Sequence, residues 1–299
     1  MKRKFLALIF VAAMLLSLPA CGNSGPKEDT SGQIETTEQT EIQVFIAASL
    51  HTVMEELAAS YQKDHPEVEL ILNADSSGTL MTQIEEGYAC DIFFSAAQKQ
   101  MDQLEADGLL IEGSRTDVVN NQVVVITQAD NETCKVTGLE SIQKAENLAI
   151  AAGSVPVGKY TRQALVKLGC FPDFSTDTNK NIDVSQITTE EVSEALGGVE
   201  ISEQANASKV LTTIAEGSCE VGTVYYSDIY GFEDQVKVLE TVPYDLTGDV
   251  IYPVAMVKND EADEAEVEEA KHFLAFLTSD AAKEVFKAYY FDTNVDTYK

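Results

Sequence analysis

Positive charge is what this chain has least of. Its 20 Lys and Arg stand against 50 Asp and Glu, a formal net charge of −30 over 299 residues. That balance excludes a basic surface built to neutralise nucleic-acid phosphates. Histidine is also scarce: His51, His65 and His272 sit neither in HExxH nor at metal-binding spacing, and no GxSxG elbow is present. His51 lies two residues past Ser49, but geometry rather than nearness in sequence defines a nucleophile–base dyad, so each His reads as an exposed helix residue. A secreted hydrolase on an α/β scaffold is left with little to stand on, and the chain reads as a non-enzyme. The five cysteines contain no CxxC pair, which argues against a structural zinc site. The N-terminal apolar run, Phe5–Leu18, has 14 residues, whereas a spanning helix takes about 20.

That run has a different meaning. Lys2, Arg3 and Lys4 precede it, and Leu18-Pro19-Ala20-Cys21-Gly22 follows. A charged n-region, a short apolar core and a small residue before Cys resemble a bacterial lipobox. The resemblance implies a lipoprotein signal peptide over 1–20, cleavage before Cys21 and lipid on its thiol. Residues 21–41 then form a lipidated Cys and a flexible tether, rich in Ser, Thr, Gly, Gln and Glu, too polar to bury a core. The folded part is expected at the extracytoplasmic face of the cell membrane, held by the lipid. Of the cysteines that remain, Cys90, Cys134, Cys170 and Cys219, the sequence does not say whether they pair or stay free thiols.

Beyond the tether, apolar strands alternate with amphipathic helices. Ile42–Ala47 reads as a buried strand, and Leu50, Val53, Met54, Leu57, Ala58 and Tyr61 recur at helical spacing after it. Ser49 between them is a favoured helix N-cap. Further strands are expected over 68–73, 91–95, 121–126, 148–152, 220–226, 236–239 and 251–257, the run at 121–126 being of the type buried on both faces of a parallel sheet. Helices are expected after Ser77, over 261–278 and from Ser279. Residues 171–204 carry eight acidic residues against one Lys and read as a loosely packed insertion. The pattern defines an α/β chain with mainly parallel sheets.

Four strand-to-helix junctions carry a polar turn: Ser49, Ser77, the turn before Val157, and Asn206-Ala207-Ser208. Unpaired N–H groups and the positive dipole end of each helix suit an anion. The third junction, Gly153-Ser154-Val155-Pro156-Val157-Gly158-Lys159-Tyr160, matches a nucleotide-binding GxxxxGK but has Tyr160 where a Ser or Thr would hold Mg²⁺. That failure, in a chain bearing an export signal, points to a smaller anion.

Ala47-Ala48-Ser49-Leu50, Ser76–Leu80, Cys90–Ala96, Val155–Tyr160, Gly222–Asp228 and Ile251–Ala255, in this order, resemble the molybdate-binding proteins that feed ATP-binding-cassette (ABC) importers. The resemblance covers about Ile42 to Phe291. It implies a two-lobed periplasmic-binding-protein fold with helices on both faces of its sheets. Residues 42–120 and 250–299 form lobe 1, and 121–249, with the acidic insertion, form lobe 2. The hinge is expected near Asn120-Asn121 and Thr247–Tyr252. The resemblance also implies that Ser49, Ser77, Val157, Ala207 and Tyr225 bind the ion in the interlobe cleft, Val157 and Ala207 through backbone N–H. Ala207 stands where a larger aliphatic residue is more usual, which a backbone donor tolerates. Molybdenum enters only as the oxyanion, with no direct protein ligand and no cofactor. The partners implied are an ABC permease and its ATPase subunit, a membrane reached through the lipid, and no nucleic acid, the protein itself being a monomer. Neutral donors suit a fully deprotonated dianion such as molybdate or tungstate. They also suit sulfate, so a receptor of the same fold specific for sulfate or another tetrahedral oxyanion is the alternative. A surface adhesion or signalling protein acting through the acidic tether and insertion is the alternative of another class.

Overall fold

The first helix sets the pattern for how the sequence becomes structure. Strand β1 (Thr40–Ala47) ends in a short 3₁₀ turn, Ala48–Leu50, from which helix α1 (His51–Asp64) departs. All six apolar positions expected to share one helix face are buried. Covering a Leu-, Val- or Met-sized side chain fully stabilises by about 1.5–3 kcal/mol, so this face alone ties α1 to the sheet. The computed structural model describes residues 39–171 and 183–295. The signal peptide expected over 1–20, Cys21 and nearly all of the expected tether lie outside the described residues.

Two lobes, each built on a five-stranded sheet, make up the α/β fold. The first sheet runs β2 (Val68–Asp75), β1, β3 (Ile92–Phe94), β10 (Val250–Met256), β4 (Thr116–Asn121). The second runs β7 (Glu200–Gln204), β6 (Asn147–Ala151), β8 (Val221–Tyr225), β5 (Val123–Gln128), β9 (Val236–Thr241). Between the strands lie α2 (Ser77–Glu85), α3 (Gln98–Ala106), α4 (Pro156–Lys167), α5 (Thr189–Ala195) and α6 (Ala207–Ala215), with α7 (Glu264–Leu277) and α8 (Asp280–Ala288) closing the described chain.

Strand direction departs from the expected mainly parallel arrangement. β1 pairs in parallel with β2 and β3, and β6 with β7 and β8. β10 is antiparallel to β3 and β4, and β5 is antiparallel to β8 and β9. β5 is apolar and buried from Val123 to Ile126, as its residues suggest, but burial on both faces is a matter of what covers a strand and not of its neighbours' direction. The apolar run expected to begin at Asn121 is also divided. Asn121 ends β4 in the first sheet, Val123 begins β5 in the second, and Gln122 joins them. The chain returns between Thr241 of β9 and Val250 of β10, and Asp292 pairs with Asn120 beside these crossings.

The acidic stretch over 171–204 is not, in its described part, the loose excursion expected. Thr188 caps α5 by accepting the Glu191 N–H, and Glu191 reaches back to the Thr188 N–H, a closed capping box. β7 then pairs along its whole length with β6. Arg162 of α4, fully buried, stitches this segment inward, donating to the carbonyls of Ile187, Ala151 and Gly158 and to the Thr189 hydroxyl. Residues 172–182 lie outside the described residues.

Candidate functional site

Each residue expected at the site lies at the end of a strand or in the first turn of a helix, for local reasons. Ser77 opens α2. The N-cap there is Ser76, whose hydroxyl accepts the Thr79 N–H at 3.1 Å, so Ser77 is released from capping. Its Oγ instead accepts the Ala96 N–H at 2.9 Å. A backbone N–H can only donate, so the hydrogen of the Ser77 hydroxyl is left for another partner. Val157 is the second residue of α4, after Val155 as N-cap and Pro156 as first residue, where the missing N–H of proline costs nothing. Ala207 is the first residue of α6, whose cap is the Asn206 side chain, accepting the Lys209 N–H at 3.0 Å. The first N–H groups of each helix have no intrahelical acceptor.

Ser49 behaves differently from the N-cap expected of it. It sits inside the 3₁₀ turn, which has Ala47 as its cap and no side-chain cap bond. Its hydroxyl is instead 3.0 Å from that of Tyr252 on β10. Tyr225, the last residue of β8, is 1% exposed, and its hydroxyl has no hydrogen-bond partner among the described residues. Its ring meets that of Tyr252 edge-on, centroids 5.6 Å apart. A buried phenol hydroxyl without a partner carries the full cost of desolvation, about 1–3 kcal/mol.

Contacts between the lobes bring these positions together. The Ser208 hydroxyl of α6 lies 3.4 Å from the Ala48 carbonyl, next to Ser49. At Gly78, beside Ser77, an added Cβ would lie 3.3 Å from the Ser154 carbonyl, just ahead of α4. Ser49 thus lies beside the start of α6, and Gly78, next to Ser77, lies against the turn into α4. Ser77, Val157 and Tyr225 are at most 1% exposed, while Ser49 is half-buried. A cavity of about 330 Å³ beside them is lined by Ser49, Asn206, Ser208, Asp228 and Tyr289, but not by Ser77, Val157, Ala207 or Tyr225.

The glycines of the nucleotide-like turn serve packing. A Cβ on Gly158 would sit 2.2 Å from the Ala152 carbonyl, so its absence lets α4 begin hard against the end of β6, and one on Gly153 would sit 2.3 Å from the Ser185 carbonyl, so its absence lets the turn pack on the acidic segment. Thr161 ties the same turn down, donating to the Val157 carbonyl at 2.9 Å and meeting the Thr223 hydroxyl of β8 at 2.9 Å.

Electrostatics around Tyr225 favour neutral groups. Burial first, then the neighbouring Tyr252, holds its phenol protonated far above the ordinary range. Asp228 is half-buried, and desolvation pushes its carboxyl up to about 7 against the pull of its bond from the Tyr225 N–H. That bond is 2.8 Å long. Among the described residues, no group of three or more His, Cys, Asp or Glu is placed to hold a metal. Cys90, Cys134, Cys170 and Cys219 are free thiols. His51, His65 and His272 lie near carboxylates on half-exposed or exposed surfaces.

Sequence reasoning did not single out Tyr252, Asn121, Asp228 or Arg162. Tyr252 and Asp228 lay within quoted motifs and Asn121 within the expected hinge, but nothing in their local pattern announced a contact with Ser49 or Tyr225.

Two lobes closing over helix starts and strand ends, with hydroxyls turned inward, define a receptor for a small solute. Residues 42–292 match the family model described as bacterial extracellular solute-binding protein. The molybdate-binding protein ModA of Escherichia coli is 31% identical over 297 residues, covering 97% of this chain and 99% of that protein. ModA of Haemophilus influenzae is 30% identical over 256 residues, covering 84% and 89%. The periplasmic molybdate-binding protein of Azotobacter vinelandii shares the fold, with a TM-score of 0.65 at 19% identity, covering 84% of this chain and 98% of that one. The chain belongs to the bacterial extracellular solute-binding proteins, as a ModA-type substrate-binding protein of ABC transport. Members of this kind bind a solute and are not enzymes.

Proposed function

We propose that this protein is an extracytoplasmic lipoprotein, anchored through Cys21, that captures molybdate, and tungstate with it, and delivers the ion to an ABC permease and its ATPase subunit. In this reading the hydroxyls of Ser49, Ser77 and Tyr225 and the backbone N–H groups of Val157 and Ala207 hold the oxyanion, with no protein ligand on the metal itself. Residues 42–120 with 250–299, and 121–249, act as the two lobes that close on it. The observation that carries the reading is the Tyr225 hydroxyl, wholly buried and without a partner among the described residues. An oxyanion oxygen supplies the acceptor it lacks. A lining of donors suits a fully deprotonated dianion, and it works in a chain of net charge −30 because salt screens distant charge beyond about 10 Å.

Calorimetry with molybdate, tungstate, sulfate and hydrogen phosphate tests the reading. Binding of molybdate and tungstate is expected. Sub-micromolar sulfate binding with no molybdate binding would replace it with a sulfate receptor of the same fold. The anchor is tested by Cys21→Ser, which is expected to move the protein from the membrane fraction to the soluble one.

A further inference from the structure

A serine hydroxyl can donate or accept, and an anion needs it to donate. At Ser77 the Ala96 N–H takes one lone pair of the oxygen and leaves the hydroxyl hydrogen unspent. Ser49 has no such neighbour. Its partner is the Tyr252 hydroxyl, another group that works in either direction.

The direction is favoured by a residue one step further back. The Gln122 N–H donates to Asn121 Oδ1 at 2.9 Å, which fixes which end of that amide is oxygen. Asn121 Nδ2 therefore presents its two hydrogens to the Ser227 hydroxyl at 2.8 Å and the Tyr252 hydroxyl at 3.2 Å. Tyr252 accepts there, which leaves its own hydrogen free to go to Ser49 Oγ, 3.0 Å away. When Ser49 accepts that hydrogen it keeps its own for the cleft. Asn121 and Tyr252 are 2% and 0% exposed, so bulk water does not compete for these bonds.

We propose that Asn121 and Tyr252 are positioning residues that hold the Ser49 hydroxyl as a hydrogen-bond donor, and so tune the cleft against oxyanions that carry a proton. This rests on the oxyanion reading of the site. A monoprotonated ion such as hydrogen phosphate brings a hydrogen that needs an acceptor. A Ser49 hydroxyl held with its hydrogen toward the cleft meets that hydrogen with a donor, and the mismatch is costly away from water. The relay also passes through the ends of β4 and β10, where the chain leaves and re-enters the first sheet. Ser227, beyond β8 of the other lobe, anchors its far end.

The test is calorimetry on the full chain at pH 8 with molybdate and hydrogen phosphate, using wild type, Tyr252→Phe, Ser49→Ala and the double variant. Tyr252→Phe keeps the ring and frees Ser49 to turn. Molybdate affinity is expected to fall about tenfold, the scale of one hydrogen bond to an ion, while hydrogen phosphate does not weaken, so the preference narrows by a similar factor. In the Ser49→Ala background the same change should cost less than about twofold, because the relay then has no serine to orient. A preference that is unchanged, or a tenfold loss that persists without Ser49, overturns the proposal. Asn121→Ala leaves Tyr252 in place with its hydrogen unconstrained and is expected to narrow the preference in the same direction. If wild type binds none of the oxyanions, it is the proposed function that fails. If wild type binds molybdate and the cycle is additive, only the relay does.

Discussion

The Lys99 ammonium and the Asp183 carboxylate meet between the lobes at 2.9 Å, with the Ser185 hydroxyl 3.0 Å from the same ammonium. Ser185 first, and Lys99 second, hold the Asp183 carboxyl down from 3.8 to about 2. The depressed value means that the contact favours the ionised form. Its contribution is full at neutral pH and is lost as the pH falls from about 4 toward 2. Both side chains are nearly half exposed, so the contact is worth no more than about 0.2–1 kcal/mol. Lys99→Ala should weaken oxyanion binding by less than about fivefold, and more at low salt than at high salt, which calorimetry at two ionic strengths reads.

Tyr225→Phe should separate stability from binding. Removing a buried hydroxyl that has no partner relieves about 1–3 kcal/mol of desolvation cost in the empty protein. The variant should therefore melt at a higher temperature than wild type without ligand. With ligand it loses one donor to a charged group and should bind about 1.5–3 kcal/mol more weakly. A melt that drops without ligand, or affinity that does not change, would remove Tyr225 from the site.

Ser77→Ala should lower both quantities. It takes a donor from the cleft, about 1.5–3 kcal/mol of binding, and strands the buried Ala96 N–H, about 1–3 kcal/mol of stability. Denaturant unfolding without ligand, set beside calorimetry, measures the two losses separately. Ser49→Ala strands no backbone group but takes a partner from the buried Tyr252 hydroxyl, so it too should lose some stability beside its loss of binding.

Asp228 supplies a pH dependence of opposite sign to that of Asp183. Its carboxyl is raised from 3.8 to about 7, so the folded protein favours the protonated form. Its contribution is full below about pH 4 and declines as the pH rises through 7. Ionisation also adds a negative charge beside a site proposed for a dianion, so affinity should weaken over the same window. Asp228→Asn keeps an acceptor for the Tyr225 N–H and should flatten the dependence. Melting temperature and affinity measured from pH 5 to pH 8 test both effects, and an equally steep profile in the variant would assign it to another group.

Much of the architecture was legible because it rests on short-range rules. The apolar stripe of α1, the Ser279 cap of α8 and the acidic start of α7 are patterns within one or two turns, and each lies where the sequence puts it. The β4–β5 break was not legible in the residues themselves, because 121–126 reads as one continuous strand; the family resemblance put a crossing near Asn120-Asn121, and the two sheets divide the run at Gln122. The β7 strand was hidden by its acidic composition, which an edge position tolerates.

By itself the sequence determined most of the order of strands and helices, the polar turn at each junction and the scarcity of positive charge. These follow from periodicity, capping chemistry and composition, all of them local or additive. Only the tertiary structure decided which hydroxyl hydrogens are spent and which remain. Ser49 has a standard capping residue type, yet its partner is 203 positions away. The direction of that bond depends on an amide on a different strand. Hydrogen-bond direction is set by the full list of partners around each oxygen, and that list exists only once the two sheets are brought together.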